Sequence, residues 1–238
     1  MLSRRAFCGC ATFAAAFVAD HAFAETNPNA SQCAVFTRAR QQDVSPDQAI
    51  ERLMAGNARF VAGRTVNCDL MEQVKATAKG QAPFAAVVGC IDSRVPPELV
   101  FDQRIGDIFC ARIAGNFVNT DIVGSLEFAT KVAGARAILV LGHSECGAIK
   151  GAIDDVKMGE LTATLANIRP AVAATRVDGE RSAKNPAMVQ AVAETNARMA
   201  AARLTTKSAV LKDLVEGGRL RIVAAMHDVS NGHVRLLA

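Results

Sequence analysis

The chain has 238 residues, 50% of them apolar and 21% charged, with a formal net charge of +4. That is enough apolar material for one large or two small domains with a sizeable core, and the excess positive charge is spread too evenly to suggest nucleic-acid binding. After the N-terminus no apolar run reaches the ~18 residues that a spanning helix needs, so no membrane segment is expected.

Residues 1–24 read as an export signal. Ser3-Arg4-Arg5-Ala6-Phe7 supplies a paired arginine and an aromatic, Ala11 to Ala19 a weakly apolar stretch, and Ala22-Phe23-Ala24 a small-residue cleavage pattern. This order is that of a twin-arginine signal, which places the mature chain, starting near Glu25, in the periplasm or otherwise outside the cytoplasm. Of seven cysteines, Cys8 and Cys10 fall within the signal. The remainder is odd in number, so a pure disulfide framework is not expected and some thiols need another task, metal binding first.

Residues 25–45 are polar and read as an extended N-terminal arm. Ser45-Pro46 has the form of a helix cap followed by proline at the first helical position, and Ile50, Leu53, Met54 and Phe60 then recur at helical spacing. A second short helix is expected over Leu70–Ala78. From Phe84 the texture changes. Phe84–Gly89 is apolar without polar alternation, as a strand buried on both faces reads. Similar runs follow at Ile108–Arg112, Ala137–Leu141 and Arg221–Ala225. Helical patterns separate them, over Thr120–Ala133, Gly147–Met158, Leu161–Thr175, Ala187–Leu204 and Ser208–Val215. Strands alternating with helices predict an α/β fold with a mostly parallel sheet, about four parallel strands, flanked by helices and with an N-terminal helical arm. Leu220–Met226, a turn at Ser230-Asn231-Gly232 and Val234–Leu237 predict a hairpin that adds an antiparallel edge strand. No linker is evident after residue 46, so 46–238 reads as a single domain.

Two short segments carry chemistry: Cys90-Ile91-Asp92-Ser93-Arg94 after the first core strand, and His143-Ser144-Glu145-Cys146-Gly147 after the third. Ligands of open α/β sheets gather at the carboxyl ends of the strands, where these segments would meet. A cysteine ending an apolar strand is often only a small core residue; two such segments are hard to explain as packing. Two thiolates and one imidazole leave one tetrahedral position free, the arrangement of a catalytic Zn2+. Gly147 permits a tight turn there, and a helix starting near it would lower the pKa of the Cys146 thiol. Zinc with two thiolates is already neutral and so a weaker Lewis acid than one held by three histidines. Asp92, held by Arg94, is placed to accept a hydrogen bond from zinc-bound hydroxide and orient it. Asp92 has a second option, to leave Arg94 and become the fourth metal ligand, closing the site.

Taken together, C-x-D-S-R (Cys90 to Arg94) and H-x-x-C-G (His143 to Gly147) resemble the β-class carbonic anhydrases. Supporting matches are Gly56 to Phe60, Arg112 to Asn116, Ser125 to Ala129 and Leu139 to Cys146, so the likeness covers the chain from about Gln48 to its end. It implies one Zn2+ per subunit and reversible hydration of carbon dioxide to bicarbonate and a proton. It also implies a homodimer or tetramer, with N-terminal helices over a neighbour and sites at the subunit interface. Lys79-Gly80-Gln81-Ala82-Pro83-Phe84 is similar to the plant-like branch, whose glutamine reaches the substrate pocket of the adjacent subunit; that role falls on Gln81. The substrate pocket of that branch falls on Phe109, Ala114, Phe128 and Gly147. Departures are Ile113, where the family often has Asn, and Phe128, where it often has Tyr. The inhibitory bicarbonate pocket of the bacterial branch uses a Trp and a Tyr, and this chain has neither. Hydrolysis of carbon disulfide or carbonyl sulfide on the same scaffold, and a non-catalytic zinc or bicarbonate-binding role, are the alternatives. His227 and His233 read as surface or sheet-edge residues, Cys110 as strand packing, and Cys33 and Cys68 as free to pair in an oxidising compartment.

Overall fold

The structure, a computed structural model, describes residues 30–238, so the twin-arginine segment lies outside the described residues. The arm is not extended over its described part. It forms α1 (Ala30–Cys33) and α2 (Arg38–Gln42), the latter capped by the Thr37 side chain. The buried Gln41 amide donates to the carbonyls of Pro83 and Ala133, tying α2 to the loops that precede β1 and β3. The Cys33–Cys68 disulfide ties α1 to the segment before the fourth helix. A polar sequence of this kind folds down because its side chains satisfy buried carbonyls, a benefit that polarity alone does not reveal.

Ser45 caps α3 (Pro46–Val61) with a complete capping box, its hydroxyl and the Gln48 side chain each satisfying the other's backbone N–H. Then come α4 (Leu70–Thr77), β1 (Ala85–Gly89), α5 (Pro97–Val100), β2 (Ile108–Arg112) and α6 (Thr120–Glu127). The expected helix over Thr120–Ala133 changes character at Phe128–Val132, which is a π-helical turn. β3 (Ala137–His143) leads into α7 (Gly147–Ile153), which stops short of Met158 where Asp155 turns the backbone to a φ of 52°. The expected Leu161–Thr175 helix is two, α8 (Leu161–Ala166) and α9 (Arg169–Ala174). Pro170, with no N–H to donate, sits in the first turn of α9, where none is required. α10 (Pro186–Lys207), α11 (Ala209–Glu216), β4 (Arg221–His227) and β5 (Val234–Leu237) complete the described chain.

The sheet order is β2-β1-β3-β4-β5, parallel except for the β4–β5 hairpin. One face packs Leu53, Phe84, Leu139 and Leu141 under α3; the other packs Ile138, Val140, Leu204 and Leu211 under α10 and α11. Each such side chain contributes ~1.5–3 kcal/mol on burial. β1 and β3 are buried throughout. β2 is only half-buried because it has a single neighbour in the chain, so Cys110 is an edge-strand residue rather than a core one. Burial still pushes its thiol up, with Glu98 adding to the effect. At Gly56 a Cβ would lie 1.8 Å from the Phe101 carbonyl oxygen, so only glycine lets α3 approach the loop after α5. Next to it, the buried Asn57 amide donates to the carbonyls of Val100 and Gly232 and accepts the Val234 N–H, which anchors the hairpin.

The disulfide closes a loop with a sequence separation of 35. Removing that crosslink in a Cys33→Ser/Cys68→Ser variant is expected to cost roughly 3–4 kcal/mol in denaturant unfolding. Thiol counting on unreduced protein produced to begin at Glu25 should find only Cys90, Cys110 and Cys146; two further reactive thiols would contradict the crosslink.

Candidate metal centre

Hydrogen-bonded parallel neighbours end at the same edge of a sheet, and β1 and β3 are such neighbours. Cys90 follows Gly89, the last residue of β1, and His143 is the last residue of β3. Between His143 and Cys146 the backbone of Glu145 is left-handed, with a φ of 56°. That single reversal brings Cys146 back beside His143, where it precedes α7 as the N-cap residue. The donor atoms of Cys90, His143 and Cys146 lie within 4.8 Å of one another, and all three residues are buried. Among the described residues this is the one cluster of at least three such side chains with that spacing.

The two sulfurs are 4.0 Å apart. The Gly115 N–H points at Cys90 Sγ from 3.3 Å. Gly115 has a φ of +82°, and a Cβ there would meet Ile168 Cδ1 at 2.4 Å, so the glycine is required for this approach. Its carbonyl is held by the buried Asn196 amide at 2.7 Å. The Cys146 hydrogen bond, with help from His143 and Gly115, pulls the Cys90 thiol down against the cost of burial. The same contact and burial push the Cys146 thiol up, contrary to the lowering expected from the helix after it, whose Ala148 and Ile149 N–H groups offset only part of the rise. One thiolate is thus formed readily, and the second ionises when a cation arrives.

His143 is fully buried, and its Nδ1 lies 2.9 Å from the Ser144 carbonyl oxygen. A proton on Nδ1 satisfies that contact and leaves Nε2 as a lone-pair donor. Nε2 is buried without a hydrogen-bond partner, which is a costly orphan unless it binds a cation. Sequence reasoning missed the brace behind it. The Ser144 N–H donates to the His227 carbonyl at 2.9 Å, and the Ser144 hydroxyl accepts the Val229 N–H at 3.0 Å. His227 is itself a correction: it pairs with His143 across β3 and β4 and is 3% exposed, not a surface residue. Burial holds its pKa below the ordinary value. His233 is exposed, as expected.

Arg94 grips Asp92 with two side-chain bonds, Nε to Oδ1 at 2.9 Å and Nη2 to Oδ2 at 2.8 Å; its backbone N–H adds a third at 3.0 Å. The guanidinium holds the Asp92 carboxyl well below the usual carboxylate range. Of the two arrangements open to Asp92, the structure holds the arginine-paired one. Its Oδ2 sits 3.9 Å from His143 Nε2, beside the donor cluster rather than within it. Arg112, at the end of β2, donates to the carbonyls of Cys90 and Asp92 at 2.8 and 2.6 Å and fixes the loop from below.

The remaining candidates divide. Ala114 and Gly147 adjoin Gly115 and Cys146, and a Cβ on Gly147 would meet nothing within 4 Å, so space is open before it. Gln81 and Phe128 line a different groove, and Phe109 packs edge-on to Phe128 at 6.3 Å. Gln81 precedes β1 while Cys90 follows it, so a strand of ~3.3 Å rise per residue separates them within one chain.

The comparisons with known proteins agree with this geometry. A family model described as carbonic anhydrase matches residues 85–234. Carbonic anhydrase 2 of Mycobacterium tuberculosis is 32% identical over 200 residues, which cover 82% of this chain and 94% of that protein. The solved β-carbonic anhydrase CafA of Aspergillus fumigatus aligns with a TM-score of 0.60 at 25% identity, covering 79% of this chain and 90% of that one. A structure reported with two tetrameric β-carbonic anhydrases of Sordaria macrospora aligns with a TM-score of 0.58 at 24% identity, over 79% of this chain and 96% of that one. A buried Cys-His-Cys donor set at the end of a parallel sheet, in a chain so matched, means that this protein belongs to the β-class carbonic anhydrases.

Proposed function

We propose that the metal is Zn2+, one per chain, held by Cys90, His143 and Cys146, and that the reaction is reversible hydration of carbon dioxide to bicarbonate. The donor set supports this. Two sulfurs at ~2.3 Å from one tetrahedral zinc lie ~3.8 Å apart, against 4.0 Å here. The orphaned His143 Nε2 is the third donor. When bound, zinc with an open fourth position acidifies water at that position and supplies a nucleophile near neutral pH, carbonic anhydrase being the standard example of this effect.

The chain's own residues then have separate tasks. Ser144 fixes the His143 tautomer through its carbonyl, and the hairpin fixes Ser144. Arg94 keeps Asp92 ionised and holds it beside the donor cluster rather than within it. An ionised Asp92 accepts a hydrogen bond at the reaction centre but cannot donate one. It therefore favours a nucleophile whose proton points at the carboxylate and whose lone pair points at the substrate.

The plant-like role of Gln81 requires a second subunit, because its own chain places it at the other end of β1. We infer that this chain forms a dimer or tetramer in which Gln81, Phe109 and Phe128 wall the neighbour's pocket. Phe128 and Val132 are 51% and 64% exposed beside Gln81, and among the described residues β2 has no partner on its outer edge, which are the features of an uncovered interface. Their apolar surfaces suit carbon dioxide, which carries no net charge or dipole. The tetramers of Sordaria macrospora belong to relatives of the same fold.

Export through the twin-arginine route also belongs to this proposal. A Cys33–Cys68 crosslink suits an oxidising compartment, and export of an already folded chain lets the metal load before Cys90 and Cys146 meet oxidant. N-terminal sequencing of protein from its native compartment should read from near Glu25; an intact Met1 on cytoplasmic protein would end this part of the proposal.

The reaction is tested by stopped-flow carbon dioxide hydration on zinc-loaded protein. Asp92→Asn is expected to lower kcat/KM by ~100-fold or more with zinc stoichiometry unchanged. Hydration no faster than a zinc-free control in the wild type would overturn the assignment.

A further inference from the structure

Before the sheet, at the N-terminal ends of β1 and β2, a second cavity of about 300 Å³ opens away from the metal centre. Arg40, Arg52, Arg59 and Arg104 line it. The Phe36 ring forms one wall, with the Arg40 guanidinium 4.7 Å and the Arg52 guanidinium 5.4 Å from its centroid. Two cations are therefore drawn to one ring although they repel each other.

The neutralisation of these charges is incomplete. Arg59 is paired with Asp102 at 2.5 Å. Arg40 donates to the carbonyls of Ala34 and Val35, which accept hydrogen bonds but carry no net charge. Arg104 donates to the Asp102 carbonyl, and its buried Nε has no partner. Arg52 has no carboxylate within salt-bridge distance among the described residues and stacks on Phe36. The remaining acid of the cavity is Asp107, 5% exposed at its floor. One Asp107 oxygen accepts the Arg104 backbone N–H at 3.0 Å, and the other has no hydrogen-bond donor among the described residues.

This is a particular mixture: several guanidinium donors around a single acceptor that lacks a donor. A bare anion such as sulfate satisfies the arginines but sets its lone pairs against Asp107. An anion that still carries a proton satisfies both, its oxygens accepting from arginine and its O–H donating to the carboxylate. We propose that the cavity between Phe36, the arginines and Asp107 is a second binding site, for a small protonated oxyanion of the phosphate or hydrogencarbonate type. Burial raises the Asp107 carboxyl above its ordinary value, and the Arg104 backbone N–H with the charges of Arg104, Arg40 and Arg52 offsets only part of that rise.

The test is calorimetric titration of the zinc-loaded full-length chain at pH 7 and matched ionic strength, with sodium phosphate, sodium hydrogencarbonate and sodium sulfate in separate runs. Phosphate or hydrogencarbonate is expected to saturate one site per chain, with sulfate at least ~10-fold weaker, the cost of facing Asp107 with no proton to donate. Arg52→Ala, at an exposed position, should weaken that binding by ~10-fold or more, whereas anion binding at the metal would survive it. The tighter of the two protonated anions identifies the ligand. Asp107→Asn should bring sulfate level with phosphate; if that variant does not fold, the wild-type preference over sulfate carries the test alone. Absence of Arg52-sensitive binding, or sulfate binding as tightly as the protonated anions, would overturn the proposal.

Discussion

The parallel pairing of β1 with β3 is the constraint on which the rest depends. Cys90 and His143 are far apart in the chain, and register alone brings Gly89 and the end of β3 to one edge of the sheet. Everything at the centre then follows by short local devices. A left-handed Glu145 returns Cys146, a glycine at 115 reaches Cys90 Sγ, and Arg112 holds two carbonyls of the Cys90–Asp92 loop. None of these devices would converge on one point if β1 and β3 were not adjacent and parallel.

Charge is the second theme. Two thiolates neutralise a dication, so the surroundings must keep the fourth position open and polarised. The carboxylate beside the donor cluster, Asp92, lies two residues from an arginine that binds both its oxygens. The pair leaves the carboxylate ionised and close to His143 Nε2, yet occupied. A lysine at position 94 would give a point charge without the fork and would hold Asp92 in no single orientation.

The α/β architecture was legible because apolar runs without alternation mark buried parallel strands; Ile108–Arg112 was read to the residue, and Ala137–Leu141 short by two. The donor set was legible because cysteine and histidine are conspicuous where strands end. What escaped has physical reasons. Ser144 and His227 act through backbone carbonyls and cross-strand position, which residue type does not advertise. β4 runs on through Met226 and His227, so a histidine read as peripheral lies against His143. The arm reads as extended because it is polar, although Gln41 makes its bonds inward and Thr37 caps a helix turn. Phe128–Val132 kept a helical pattern through a π turn, since hydrophobic spacing tolerates one extra residue better than backbone bonding does.

The Arg94–Asp92 clamp is where fold and chemistry meet, and it is open to one direct measurement. Zinc content and carbon dioxide hydration should be determined on the same preparation of Arg94→Ala. The account predicts one zinc per chain with hydration slowed by ~100-fold or more, as a released Asp92 turns toward the metal or loses its orientation. Hydration at the wild-type rate with zinc in place would contradict it.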